Sequence, residues 1–108
     1  MERIIVNNQE ELDSIKLDFE GEIIIIGGTN DNPLLLSKLY QNSEVILSGN
    51  AVVNMSGNSQ VNYMRGNSQI KEMWENSQVN YMWENSQVNY MSGNSQVNYM
   101  RENSQVNY

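Results

Sequence analysis

Residues 58–66 read Asn-Ser-Gln-Val-Asn-Tyr-Met-Arg-Gly, and this pattern then returns five more times, with few changes, up to residue 108. A short, strict period is typical of repeat proteins, in which each copy stacks on the next and shares one core with it. The repeat therefore decides the fold of this chain. The copies start nine residues apart, at Asn58, Asn67, Asn76, Asn85, Asn94 and Asn103.

The period of nine favours β-structure over helix. Nine helical residues turn by about 900°, which would place successive valines on opposite sides of a helix. In a β-solenoid, identical positions stack at the strand spacing of about 4.8 Å. The sequence therefore predicts an all-β fold, a parallel β-solenoid of nine-residue repeats. Two copies would form a coil with two bends, and the first-position Asn suits a left-handed corner and a stacked amide ladder.

Variation between the copies indicates which side chains face the core. Lys71 and Glu72 replace Asn and Tyr at positions five and six, so these positions face solvent, as do the variable eighth and ninth. Ser at position two, Val or Ile at position four and Met at position seven recur. Successive side chains of a strand point to opposite faces, so positions four and seven, three residues apart, would face opposite sides of a straight strand. A bend near positions five and six is therefore required for both to face the core. The predicted core is Val61, Ile70, Val79, Val88, Val97 and the seventh-position Met of each copy.

The chain divides into three parts. Residues 1–41 lack the repeat and are predicted to form an N-terminal α/β cap, because the ends of a solenoid are atypical. Residues 42–57 hold two transitional units of eight residues, and residues 58–108 form the regular solenoid. Within the cap we expect a first strand, a helix capped by Asn8, a strand over residues 15–20, an apolar run at 23–26 and a helical turn at 34–39 opened by Pro33.

Composition excludes several classes of function. The chain has 108 residues and a net charge of −7, with no cysteine and no histidine, so disulfides and imidazole chemistry are absent. Residues 1–49 carry nine acids and three bases (net −6), and residues 50–108 carry four acids and three bases (net −1). This balance argues against direct nucleic-acid binding. The chain shows no secretory signal pattern and no apolar run of about 18 residues, so no membrane role is predicted.

No motif for catalysis, a metal or a cofactor emerges. Calcium-binding β-rolls need Asp in each turn, and this chain has none after Asp31. The pairs Glu10/Glu11 and Glu20/Glu22 are typical of solvated surface acids. Gly27-Gly28-Thr29 lacks the following Lys-Ser/Thr of a phosphate loop and indicates a turn. We therefore predict a protein that is not an enzyme and binds no cofactor.

The exposed aromatic residues are the candidate partner-binding residues. Tyr and Trp are favoured at protein interfaces. They could equally form ladders across coils and only stabilise the stack. The candidates are Tyr63, Trp74, Tyr81, Trp83, Tyr90 and Tyr99.

The last repeat suggests self-association. The sequence stops within a copy, and an uncovered coil offers unpaired backbone groups to another chain. We expect a homodimer or a higher assembly through the C-terminal coil, with Val106 and Tyr108 at the contact. The alternative is that further natural sequence covers this coil.

The segment Ser48-Gly49-Asn50-Ala51-Val52-Val53, leading into repeated Gly-Asn-Ser-Gln-Val, resembles short-repeat parallel β-helix proteins of phages and gut bacteria. The resemblance covers residues 42–108 and implies the architecture rather than an activity. It suggests a phage-encoded interaction protein in the cytoplasm of a bacterial host or an infected cell. The alternative is a structural or fibre-like self-assembling element. The near-neutral array argues against a third possibility, a DNA-mimic inhibitor.

Overall fold

Two parallel sheets wind around one core in the structure, a computed structural model that describes residues 2–107. Together they form a parallel β-solenoid of about six turns. One α-helix is found among the described residues. The elements are β1 (Glu2–Val6), α1 (Gln9–Asp13), β2 (Gly21–Ile25), β3 (Leu34–Leu36), β4 (Ser43–Leu47), β5 (Val52–Met55), β6 (Gln60–Met64), β7 (Gln69–Met73), β8 (Gln78–Met82), β9 (Gln87–Val88), β10 (Gln96–Met100) and β11 (Gln105–Val106).

Each coil contributes one strand to each sheet, except the first, in which α1 follows β1 in place of a second strand. The six-stranded sheet has the order β1-β2-β4-β6-β8-β10, and the five-stranded sheet has the order β11-β9-β7-β5-β3. In the regular region, paired residues are 18 positions apart, as in Val61 with Val79 and Ile70 with Val88. The structural repeat is therefore about 18 residues rather than nine. Each nonapeptide is half a coil, since it supplies one strand and one corner.

A bulge at position five explains why the regular units have nine residues and the transitional units have eight. Between β5 and β7, Val53 pairs with Ile70 and Asn54 pairs with Glu72, so Lys71 has no partner in the register. In the other sheet, Ile46 of the eight-residue unit pairs with Tyr63, so Asn62 is the extra residue of β6. The extra residue bends the strand, as a β-bulge does. The predicted bend at positions five and six is thus confirmed, and Val and Met can both point inward.

The predicted core is confirmed for the inner coils. The side chains at positions two, four and seven of these coils are buried. The exceptions lie in the last coils, where fewer neighbours pack against the core: Val97 and Met91 are only partly buried, and Met100 is 41% exposed. The fully buried members are Ser59, Ser68, Ser77, Ser86, Val61, Ile70, Val79, Val88, Met64, Met73 and Met82.

The first-position Asn lies in the turn at each corner, as predicted, but the residue with left-handed backbone is the one before it, at position nine, so that part of the prediction was wrong. Glu75, Glu84 and Glu102 have φ values of 61°, 62° and 61°, and glycine occupies the same position in other units. The carboxylate of Glu84 accepts a hydrogen bond from the Gly66 N–H one coil away, at 2.9 Å. The first-position Asn side chains instead form the predicted amide ladder, in which Asn85 Nδ2 donates to Asn67 Oδ1 at 3.3 Å.

Residues 2–41 extend the same two sheets. Asn8 caps α1 as predicted, since its side chain accepts a hydrogen bond from the Glu11 N–H at 2.9 Å. Two expectations were wrong. Residues 15–20 form turns, not a strand, because Ile15 reaches the core from the end of α1 while Leu17 is 55% exposed. Residues 34–39 contain the strand β3, not a helical turn, because Leu34 and Leu36 face the core beside β5.

The helix α1 lies at the edge of the five-stranded sheet. The Gln9 side chain accepts a hydrogen bond from the Leu35 N–H at 2.7 Å and donates one to the Leu35 carbonyl at 3.0 Å. This side-chain amide thus satisfies the outward backbone groups of Leu35, as a neighbouring strand would. Lys71 Nζ donates to the Asn30 carbonyl at 2.9 Å and ties the loop before β3 to the array.

Candidate interaction surface

Four aromatic side chains gather on the outer face of the six-stranded sheet. Tyr63, Tyr81 and Tyr99 occupy the same register position on β6, β8 and β10, so they stack coil upon coil. Trp83, which directly follows β8, lies against the first two of these rings, with centroid distances of 5.1 and 5.8 Å. We call these four residues the aromatic strip.

The rings of the aromatic strip mostly cover one another. Tyr63 and Tyr81 stack at 5.5 Å with an interplanar angle of 14°, and Trp83 stacks on Tyr63 at 30°. Tyr99 instead meets Tyr81 edge-on, at 5.5 Å and 73°. Tyr81 is 40% exposed and Tyr99 is 49% exposed. The strip therefore offers ring edges along most of its length and a differently oriented ring at Tyr99.

The column continues as isoleucine toward the N-terminal end. Tyr63 pairs with Ile46, Ile46 with Ile24, and Ile24 with Ile5. Ile5 is 46% exposed, whereas Ile24 and Ile46 are buried. The apolar column thus runs across all six strands. Sequence reasoning missed its isoleucine half, although the alignment of Val45-Ile46-Leu47 with Val-Asn-Tyr-Met could have revealed it once the bulge was allowed for.

Amide side chains flank the tyrosines. A groove on this face is lined by Asn80, Tyr81, Asn98 and Tyr99. Asn98 Nδ2 donates to Asn80 Oδ1 at 3.1 Å, which continues a second amide ladder at position five. Earlier in this column, Asn62 Oδ1 accepts a hydrogen bond from the Val45 N–H at 3.2 Å. The surface is therefore polar and uncharged on the side of Asn80 and Asn98, whereas Trp83 borders a groove that it lines together with Glu84, Arg101 and Glu102.

The structure separates the other two predicted residues from the strip. Trp74 follows β7 and Tyr90 follows β9, and both of these strands belong to the five-stranded sheet. The position of Tyr90 is filled in the preceding coil by Glu72, so the aromatic column is interrupted there. Of the six candidates, four form one surface and two lie on another sheet.

The predicted self-association residues lie at the last coil. Val106 is partly buried and pairs with Val88, and Tyr108 lies outside the described residues. In the same coil, Met100 is exposed and Val97 is partly buried. The last described coil therefore carries more accessible apolar surface than the inner coils.

The acidic and glycine motifs have structural contacts. Glu11 accepts a hydrogen bond from the Asn7 N–H at 2.7 Å, and Glu22 forms an ion pair with Arg3 at 3.0 Å. A side chain at Gly27 would place its Cβ 2.0 Å from the Asn7 carbonyl oxygen, so close backbone packing accounts for this glycine. Within residues 2–107, no three acidic side chains lie together in a way that could hold a metal ion.

Comparison of the chain with protein-family models, with curated proteins and with solved structures finds no match. No helix in the described part of the chain is long and apolar enough to cross a membrane.

Proposed function

We propose that this chain is a non-catalytic interaction protein that binds a protein partner through the aromatic strip. The observation that supports this most strongly is the clustering of Tyr63, Tyr81, Trp83 and Tyr99 on one outer face, where Tyr81 and Tyr99 keep 40% and 49% of their surface exposed. Tyr and Trp supply large contact areas at low entropic cost and dominate the binding energy of many interfaces. The solenoid fixes their spacing before binding, which lowers the cost of ordering them.

The ring geometry favours a protein partner over a carbohydrate. A sugar binds an aromatic residue by lying on the face of the ring, but the faces of Tyr63 and Tyr81 stack on each other and on Trp83. What remains accessible is ring edges, the differently oriented ring of Tyr99 and the amides of Asn80 and Asn98. Edges and amides pair well with the mixed apolar and hydrogen-bonding surface of a protein.

The experiment compares variants on the two sheets. The double variant Tyr81→Ser/Tyr99→Ser removes the exposed half of the strip, and Tyr90→Ser removes an equally exposed tyrosine from the other sheet. Immobilised wild-type protein is expected to capture a stoichiometric partner from bacterial lysate. The double variant should bind it at least about tenfold more weakly, since each lost anchor is worth 1 kcal/mol or more, and Tyr90→Ser should bind it normally.

Two results would count against the proposal. If the double variant captures the partner as well as the wild type does, the rings stabilise the stack rather than bind. The double variant should then have a lower melting temperature than the wild type. Loss of the partner only in Tyr90→Ser would move the binding surface to the five-stranded sheet. The outcome separates binding from stabilisation because both variants are checked for folding by circular dichroism.

A structural, self-assembling element is the second candidate. It is supported by the 41% exposure of Met100 and the partial exposure of Val97 in the last described coil. A DNA mimic has less support, because the regular array carries only four acids against three bases. A phage origin and a cytoplasmic location remain predictions that follow from the sequence resemblance.

We also propose that residues 1–41 act as a cap and that residues 42–57 lead from it into the regular array. The contact of Gln9 with both backbone groups of Leu35 supports this, since it occupies the N-terminal edge of the five-stranded sheet. Leu12, which is fully buried, anchors the helix on the core. The cap and the array would then fold as one unit.

A further inference from the structure

The N-terminal end of the six-stranded sheet holds a groove that neither the aromatic strip nor α1 occupies. It has a volume of about 800 Å3 and lies between β1, the end of α1 and the loop over residues 16–20. Its lining includes the apolar side chains of Ile4, Ile15 and Phe19, of which Ile4 and Phe19 are only partly buried. The groove runs beside β1, which is the edge strand of this sheet.

On the edge of β1 that faces the groove, backbone N–H and C=O groups are oriented to pair with an added strand. Val6 accepts a hydrogen bond from the Ile26 N–H at 2.9 Å, so the backbone groups of Val6 point toward β2. Backbone direction alternates along a strand, and the N–H and C=O of Arg3 and Ile5 must therefore point away from β2, toward the open edge. Beyond them, the Asn7 N–H is bound by Glu11 at 2.7 Å, which closes this end of the groove.

The rim of the groove is acidic. Glu2, Glu11, Asp18 and Glu20 line it against a single cation, Lys16, so four acids less one base give a local charge of −3. The nearby guanidinium of Arg3 is already paired with Glu22 at 3.0 Å. An occupant that brings positive charge is therefore favoured, and its apolar side chains would meet the floor of Ile4 and Phe19.

From these three features we infer that β1 is a docking edge for an extended, basic segment of a partner protein. The segment adds a strand to the six-stranded sheet, hydrogen-bonds the outward groups of Arg3 and Ile5, and alternates Lys or Arg with apolar residues. Edge strands recognise peptides in this way elsewhere, with main-chain bonds giving affinity and alternate side chains giving specificity. A second copy of this chain is disfavoured as the occupant, since residues 1–49 carry a net charge of −6.

The test uses a synthetic pentapeptide, acetylated and amidated, in which lysine and isoleucine alternate and lysine stands at both ends. Titrated into isotope-labelled protein up to millimolar concentration, it should shift the amide resonances of Arg3 and Ile5 and slow their hydrogen exchange. The variant Ile5→Pro removes one outward N–H without touching the β1–β2 ladder and should weaken binding about tenfold or more. Ile5→Val keeps the N–H and serves as the matched control.

Charge is tested separately with the surface double variant Glu2→Gln/Glu20→Gln. It should weaken binding severalfold, added salt should do the same, and a pentapeptide with glutamate in place of lysine should not bind. Equal binding by Ile5→Pro and Ile5→Val, equal binding of the acidic peptide, or no shift at Arg3 and Ile5 would each overturn the inference. A concentration-dependent dimer that Ile5→Pro abolishes would overturn it too, by showing that a second copy occupies the edge.

Discussion

Three of the four buried second-position serines lie beside the corner without a hydrogen bond from the side chain to any described residue, which indicates that this position selects residues by size. Ser59, Ser68 and Ser86 are fully buried, and their hydroxyl groups have no hydrogen-bond partner among residues 2–107. The Gln69 N–H donates to the Ala51 carbonyl at 2.8 Å, just as the Gln87 N–H donates to the Ser68 carbonyl one coil later. Ala51 therefore occupies the position of Ser68 in the preceding coil. Ala51 is also fully buried. A small side chain is therefore what this position requires.

The first prediction follows from that column. Ser68→Ala should leave stability unchanged or raise it by up to about 1 kcal/mol, because a buried hydroxyl without a partner carries a desolvation cost. The matched control is Ser77→Ala, which loses a hydrogen bond from Ser77 Oγ to the Trp74 carbonyl at 2.9 Å and should cost about 1 kcal/mol. Urea denaturation measures both variants. A larger loss in Ser68→Ala than in Ser77→Ala would contradict this interpretation.

The second prediction concerns the methionine column. Met82 is fully buried, so Met82→Asp places an unpaired charge in the core and should cost about 3 kcal/mol or more. Met100, at the same position one coil later, is 41% exposed. Met100→Asp should therefore change stability by less than about 1 kcal/mol when measured in dilute protein. Thermal unfolding that ranks the two variants equally would disprove the inward assignment of Met82.

At the scale of elements, the stretch before the array decides how the solenoid begins. The side chain of Gln9 closes the edge of β3 at Leu35, and Leu12 anchors α1 to the core. Without residues 1–41, the new first strands β4 and β5 would present open edges beside the buried side chains of Val45, Leu47 and Val53. Open, apolar strand edges are templates for aggregation.

The third prediction is that deletion of residues 1–41 yields aggregated or fibrillar protein. The milder variant Gln9→Ala should stay folded but lose stability by about 1–2 kcal/mol, because the backbone groups of Leu35 lose both partners. Size-exclusion chromatography and thioflavin fluorescence report the first, and urea denaturation reports the second. A soluble, monomeric array over residues 42–108 would show that the N-terminal part is not a cap.

The elements also show which parts of the structure could be predicted from the sequence. The constancy of Val and Met across copies predicted the inner core, and the odd spacing of positions four and seven predicted the bend that Lys71 and its equivalents supply as a bulge. The strand β3 was missed because three consecutive leucines show neither the helical nor the strand periodicity of apolar and polar residues. What makes this segment a strand is its pairing with β5, a contact between residues far apart in the sequence. The splitting of the six aromatic residues over two sheets follows from the coil of 18 residues, since alternate copies face opposite ways.

At the scale of the whole molecule, the two ends of the solenoid differ in charge and in how they are covered. Residues 1–49 have a net charge of −6 and include α1, which occupies the edge of the five-stranded sheet. Residues 50–108 have a net charge of −1, and the last described coil exposes Met100. Head-to-tail stacking would bring β11 of one copy against α1 of the next. Contact between two N-terminal ends would bring two strongly acidic parts together, and these repel each other. Contact between two C-terminal coils avoids both the obstruction by α1 and this repulsion.

The last prediction is therefore a homodimer, or a higher assembly, joined through β10 and β11. Two such coils can pair their edges across a twofold axis, the commonest symmetry of homo-oligomers. Light scattering on the 108-residue chain should show a mass that rises with concentration. Val106→Asp should abolish the rise, because Val106 lies on the edge strand β11 and a charge there opposes its own copy across the axis. Leu17→Asp, at a side chain 55% exposed near the other end, is the matched control and should associate normally. A chain that stays monomeric at high concentration, or an assembly that only Leu17→Asp disrupts, would place any contact elsewhere.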